Sequence, residues 1–252
     1  MRPLTDALVL ARAPYSESSQ VVHLLTAGEG RITCLARGVY RPKSNFGGAL
    51  DLLTRGEADV TRRRGSELDL LHRLRVTHPY RGLRRTLLAW SAASHVLELV
   101  RAFAWVRDRE SGVFRLVAAT LDALDGGPPA EVVETWLAAF ALRLLERAGF
   151  RPELDGCLGC GTRVGDGPVG FSLEEGGVVC PRCAAAKRRV VPLSAGALAL
   201  ERRILSGARG EAPADRDAVS EVRRTLDRVV EHRLERPLHA RRLLDEEVAA
   251  CA

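Results

Sequence analysis

Lysine is nearly missing from this chain. Of 38 lysines and arginines among its 252 residues, only Lys43 and Lys187 are lysine, and Asn45 is the sole asparagine. Isoleucine and glutamine are also scarce, while alanine, glycine and arginine abound, the pattern of a GC-rich coding sequence. An arginine count raised by codon usage says nothing by itself about partners. Long apolar runs are absent too, since none approaches the ~20 residues of a membrane span. The opening stretch MRPLTDALVLARAPYSES holds only a short apolar segment and no signal-peptide pattern. The chain is therefore expected in the cytoplasm, without a membrane partner. There thiols stay reduced, and clustered cysteines indicate metal before disulfide. Catalytic signatures are equally missing: no P-loop, no G-x-S-x-G, no H-x-E, and no carboxylate cluster with metal-binding spacing. The histidines (His23, His72, His78, His95, His232, His239) are scattered, which suits packing or surface roles. The expectation is a protein that is not an enzyme.

What remains is a globular composition. Hydrophobic residues make up 46% and charged residues 28%, with a mean hydropathy of −0.06, enough for a full core and more than one domain. The net charge of +6 and a pI near 9.3 favour acidic partners, of which nucleic acid is the commonest.

Three compositional regions follow one another. Residues 1–79 read as strands: short apolar or alternating runs at 7–13, 20–27, 31–38, 50–64 and 66–78, punctuated by Pro14, Gly28, Gly30, Gly47, Gly48 and Gly65. Five strands in this length suit a small closed barrel of the nucleic-acid-binding OB type. Cys34, at an alternating position in the third run, reads as a small buried hydrophobe. From residue 80 the period changes to that of helices. Segment 82–106 is apolar over most of its circumference. The segment after Pro129 carries Val133, Leu137, Phe140 and Leu144 at helical spacing, with Glu131 in its first turn and Arg147 and Gly149 at its end. Further helices are expected at 194–206, capped by Ser194, at 215–235, and after Pro237. The expected architecture is α+β: an OB domain at 1–79 and a helical domain at 80–252, the latter with an insertion at about 154–187.

That insertion holds two C-x-x-C pairs, Cys157/Cys160 and Cys180/Cys183. Each pair can give two thiolates to one tetrahedral ion, so the spacing predicts a single structural Zn2+ in a zinc finger. Four cysteines fill the shell and leave no position for an activated water. Between the pairs, GFSL and VVC flank EEGG, a hairpin whose Gly176 and Gly177 permit positive φ.

The stretch ARGVYRPKSNFGGAL lies in a segment, Gly30 to Leu50, that contains no acid. Arg31, Arg37, Arg41 and Lys43 are cationic there, while Tyr40 and Phe46 offer possible stacking surface for bases. These six residues are the candidate DNA-binding set. The cluster Arg62–Arg63–Arg64 is ambiguous, because such charges also blunt an edge strand.

The ordered pieces have a family likeness. The series LVL…YSESSQVVHLLTAGEGRITCLARGVYRPKSNFGGALDLL, then helices, C-x-x-C…GFSLEEGGVVC-x-x-C and RPLHARRLL resembles the bacterial RecO family from about Leu8 to Leu244. The resemblance implies a mediator of DNA repair and recombination, associated with the nucleoid. Such proteins bind single- and double-stranded DNA, anneal complementary strands and work with RecR. They help RecA replace single-stranded DNA-binding protein (SSB), and they bind the SSB C-terminal tail through the helical domain. The alternative from composition alone is a zinc-ribbon transcription or RNA-binding factor, which would have no reason to share the loop and the helical domain.

Overall fold

A computed structural model of the chain describes residues 4–46, 48–104, 112–207 and 215–250. Gly47 of the glycine pair and the expected helix end at 105–106 lie outside the described residues. Two compact units are formed, Met1–Thr86 with Ala104–Gly126, and Leu87–Phe103 with Gly127–Ala252. The division expected at 79/80 is a division along the sequence; in space, one helical segment groups with the strands.

In the first unit, β1 (Leu4–Ser16), β2 (Ser19–Thr26), β3 (Gly30–Ala36), β4 (Arg55–Thr61) and β5 (Asp69–His78) close in the order β1-β2-β3-β5-β4. β3 and β5 run parallel and the remaining neighbours antiparallel. This is the five-stranded OB-like barrel that the strand spacing predicts. Closure pairs every strand on both sides, and the inward positions Val9, Val22, Leu24, Ile32, Cys34, Leu71 and Leu74 form one core. The expected fourth run is shorter than read. Leu50 turns into the core, Leu53 takes φ 58°, and Val9 N–H donates to Thr54 O at 3.0 Å, so the strand starts only at Arg55.

A helix not expected from the sequence, α2 (Val113–Asp125), belongs to this unit; α1 (Leu87–Phe103) precedes it. Arg55 anchors α2, with its guanidinium 2.6 Å from Asp6 Oδ2 and 5.3 Å from the Phe114 ring centroid. Tyr80 donates its hydroxyl to Asp122 at 2.8 Å, and Leu83 N–H donates to Asp125 Oδ1 at 2.8 Å. The latter contact holds Gly82–Arg84 in a 3-10 turn, which is why α1 begins at Leu87 rather than at 82.

The second unit packs α1, α3 (Ala130–Arg147), α5 (Ala195–Leu205), α6 (Arg216–Leu234) and α7 (His239–Ala250) around Leu99, Leu137, Phe140, Leu198 and Leu226. α5 starts as its cap predicts, with Ser194 Oγ accepting from Ala197 N–H at 3.2 Å. Buried Arg223 is met by Glu134, Asp227 and Asp245 at 3.1, 3.2 and 2.5 Å, and Asp227 also meets His95 Nε2 at 3.2 Å. Glu98 of α1 receives the N–H groups of His239 and Ala240 at 3.1 and 3.0 Å, capping α7. The insertion carries β6 (Val169–Ser172), β7 (Gly177–Val179), the short helix α4 (Pro181–Ala184) and β8 (Val190–Leu193). The predicted hairpin pairs β6 with β7, and β8 adds a third strand on the other side of β6.

Candidate nucleic-acid interface and metal centre

The loop after β3 is a chain of tight turns rather than a floppy tether. Arg41 N–H donates to Gly38 O at 3.2 Å, Ser44 N–H to Arg41 O at 3.0 Å, and Ala49 N–H to Phe46 O at 2.6 Å. Gly38 takes φ +71°, a conformation that glycine adopts without strain, and a β-carbon there would lie 3.4 Å from Arg41 Cδ. Arg37, Tyr40, Arg41 and Lys43 are all exposed, and among the described residues none of the three cations makes an ion pair. The first acid of the loop, Asp51, is engaged by Arg12 at 2.9 Å. The result is a compact, exposed, positively charged turn.

Two of the six candidates stand elsewhere. Phe46 is 5% exposed and belongs to the barrel core with Leu50 and Leu74, so it anchors the loop and offers no ring to a base. Its side chain is apolar throughout and the barrel interior is the nearest dry volume, which outweighs any exposed role. Arg31 is the second residue of β3 whereas Arg37 follows the strand, which separates them by about 20 Å at ~3.3 Å per residue. At Arg31's end, a depression of about 320 Å³ is lined by Ile32 and Arg62 but also by Glu29 and Asp69, so that end is not acid-free.

One aromatic escaped the sequence reading. Tyr15 is 59% exposed, comparable to Tyr40 at 55%, and sits where the β1–β2 register shifts between Pro14 and Ser16. Such a bulge re-aims its side chain away from the pleat. Gln20, whose Cα partners are Pro14 and Ala36, donates its side-chain N–H to the Tyr40 hydroxyl, so the hairpin tip and the basic loop share one end of the barrel. The alternation signal that marks strands hides an outlying ring at a bulge.

In the second unit the four cysteines converge. The Sγ atoms of Cys157, Cys160, Cys180 and Cys183 lie within 4.8 Å of one another, with Cys160 and Cys180 at 4.0 Å. A tetrahedral ion with metal–sulfur bonds of ~2.3 Å requires sulfurs about 3.8 Å apart, so the set can hold a metal ion. Backbone geometry prepares it. Cys180 and Gly159 N–H groups point at Cys157 Sγ at 3.2 and 3.4 Å, and Pro181 opens α4 directly behind Cys180. Thr162, with its hydroxyl 3.4 Å from Cys160 Sγ, draws that thiol down to about 6. Cys183, sharing protons with Cys180 and Cys160, is pushed up to about 12. Four thiols this close cannot all ionise alone, and a divalent cation relieves that conflict. Arg202 of α5, which carries no sequence signature, ties the insertion down by donating to Leu154 O at 2.7 Å and Val164 O at 3.1 Å.

Comparison with known proteins agrees with this layout. The family profile described as Recombination protein O N terminal matches residues 1–80, and Recombination protein O C terminal matches 84–242. A protein of Anaeromyxobacter dehalogenans named DNA repair protein RecO is 41% identical over 250 residues, covering 97% of this chain and 96% of the relative. Proteins of the same name from Symbiobacterium thermophilum and Myxococcus xanthus are 33% and 32% identical, covering 95% and 92% of this chain and 95% and 93% of themselves. Among the described residues no helix is long and apolar enough to cross a membrane.

Proposed function

Because the chain belongs to the RecO family, and so to DNA repair and recombination, we propose that it is a non-enzymatic mediator acting on single-stranded DNA gaps in the cytoplasm. It binds single- and double-stranded DNA without sequence preference and anneals complementary strands. With RecR it helps RecA load onto strands covered by SSB, whose C-terminal tail it also binds. The metal is one structural zinc held by Cys157, Cys160, Cys180 and Cys183; four thiolates close its coordination shell to water, so its contribution is to folding. Phe171, Val178 and Val179 of the insertion are buried, but of the four cysteines only Cys157 is, so the ion adds the link that ties the two knuckles to each other.

The observation that carries this reading is the exposed turn of Arg37, Tyr40, Arg41 and Lys43 on a closed OB-like barrel. Cations there neutralise phosphates and release counterions, and the ring stacks on bases. Annealing makes and breaks no covalent bond. It requires two like-charged strands to be held close while base pairs form, and an arginine-rich surface lowers their repulsion. The domains supply a grip and leave the chemistry to base pairing.

The decisive experiment is annealing of complementary oligonucleotides coated with SSB. The proposal expects acceleration over the protein-free reaction, with binding to an SSB tail peptide. Absence of both, together with a preference for RNA, would transfer the protein to the zinc-ribbon class instead.

A further inference from the structure

Lys187 is one of two lysines in a chain that writes nearly all its positive charge as arginine, and it stands beside the metal centre. After α4 the backbone keeps turning: Ala186 N–H donates to Cys183 O and Lys187 N–H to Ala184 O, both at 3.2 Å. This carries the side chain back over the first knuckle. A β-carbon on Gly159, the residue before Cys160, would lie 2.8 Å from Cys183 Cβ, 2.9 Å from its Sγ and 3.4 Å from Lys187 Cε. Gly159 is therefore the bare surface on which both the second knuckle and the lysine stem rest. Beyond it, Lys187 Nζ donates to both carboxylate oxygens of Glu175 at 2.6 and 2.5 Å. Glu175 belongs to the turn between β6 and β7, where its N–H donates to Ser172 Oγ at 3.3 Å. One side chain thus touches three separate pieces of the finger: the first knuckle, the exit from the second, and the hairpin turn.

We propose that Lys187 and Glu175 form a clasp that positions the two knuckles around the zinc and limits its escape. The inference rests on the zinc reading of the four cysteines. A compact ammonium on a flexible stem can pass over Gly159 and still reach the hairpin, which a broad planar guanidinium does less readily. Electrostatics act in the same direction. A lysine ammonium is charged at neutral pH, and a tetrathiolate zinc centre is formally dianionic, so the two attract. Both partners are partly exposed, at 23% and 42%, so replacing them leaves the fold intact.

The test is the rate of zinc transfer from the full-length, zinc-loaded protein to excess chelator, followed by the colour of 4-(2-pyridylazo)resorcinol. Lys187→Gln and Glu175→Gln should each speed release about 2- to 5-fold, the range to which an exposed ion pair converts. Far-UV circular dichroism and oligonucleotide binding should not move in any variant. Parent-like release from either single variant overturns the clasp. Slower release from Glu175→Gln also overturns it, because that outcome means that the lysine acts by charge alone and the carboxylate opposes it. A parent protein that purifies without zinc removes the metal reading and the clasp with it, and elemental analysis reveals this before any rate is measured.

Discussion

Replacing Arg37, Arg41 and Lys43 together by alanine tests the loop through its salt dependence. All three are exposed and among the described residues none is engaged by an acid, so each is available to one phosphate. On single strands a phosphate contact contributes about 0.7 to the slope of log affinity against log salt, so the triple variant should flatten the slope by about 2. Between about 50 and 200 mM salt, three such contacts cost the parent protein on the order of 20-fold in affinity, a loss the variant should escape. Fluorescence anisotropy of a labelled oligo-dT across that range gives both slopes directly. Because none of the three side chains packs in the core, circular dichroism should be unchanged. A slope within about 0.5 of the parent's would refute the assignment, since less than one phosphate contact would then have been lost. The comparison variant is Arg62→Ala with Arg63→Ala, at the end that also bears Glu29 and Asp69; it should change the slope by less than the loop variant does.

Tyr15→Ala should weaken oligo-dT binding about 5-fold or more, the lower end of a base–ring stack, while leaving the salt slope alone; a changed slope with unchanged affinity would contradict a stacking role. Cys180→Ser should give insoluble or unstable protein and less than one zinc per chain by elemental analysis, because a structural site of this type contributes on the order of 10 kcal/mol to folding; a soluble, stable variant with a full zinc complement would count against it. Glu201 is fully buried with no hydrogen-bond partner for either oxygen among the described residues, and burial, aided by Glu221, pushes it up from 4.5 to about 8. Its folded value exceeds its unfolded one, so its stability contribution is complete below about 4.5 and lost as pH rises to about 8, roughly 4 kcal/mol between pH 5 and 8. Urea titrations of Glu201→Gln at those two pH values should show that loss removed, and an undiminished loss would place the titrating group elsewhere.

The parts legible in the sequence are those whose signal is local. Two C-x-x-C pairs bring their sulfurs together because each knuckle is a self-contained turn, and Ser194 caps α5 through an N–H only three residues away. The missed helix α2 shows the opposite case. It has glycine at its N-cap, no acid in its first turn, and Asp122 and Asp125 towards its C-terminal end, where negative charge opposes the helix dipole. Those acids make sense only in space, where Tyr80 and Leu83 N–H receive them. Phe46, expected as a stacking ring, is buried, and Tyr15, to which the sequence assigned no role, is exposed, for a similar reason. Nothing local in the sequence tells which aromatic near this end of the barrel is exposed; barrel closure buries Phe46 and the irregular register between Pro14 and Ser16 leaves Tyr15 in water. Arg202 had no local signal, since its partners, the carbonyls of Leu154 and Val164 and the carboxylates of Asp155 and Asp166, lie 36 to 48 residues earlier in the chain.

The same distinction answers the question that codon usage raises about arginine. Thirty-eight basic residues cannot be read as a binding surface merely by counting, because much of that charge is consumed internally. Arg55 is committed to Asp6 and the Phe114 ring, Arg202 to two backbone carbonyls and the carboxylates of Asp155 and Asp166, and buried Arg223 to three carboxylates. Replacing any of these by lysine would lose a planar fork that satisfies several acceptors at once. The turn after β3 differs in kind: its cations are exposed, its neighbours from Gly30 to Leu50 include no acid, and a buried phenylalanine fixes it to the barrel. Pairing therefore separates structural arginine from charge that faces outward, and only the outward charge can exchange its counterions for a polynucleotide.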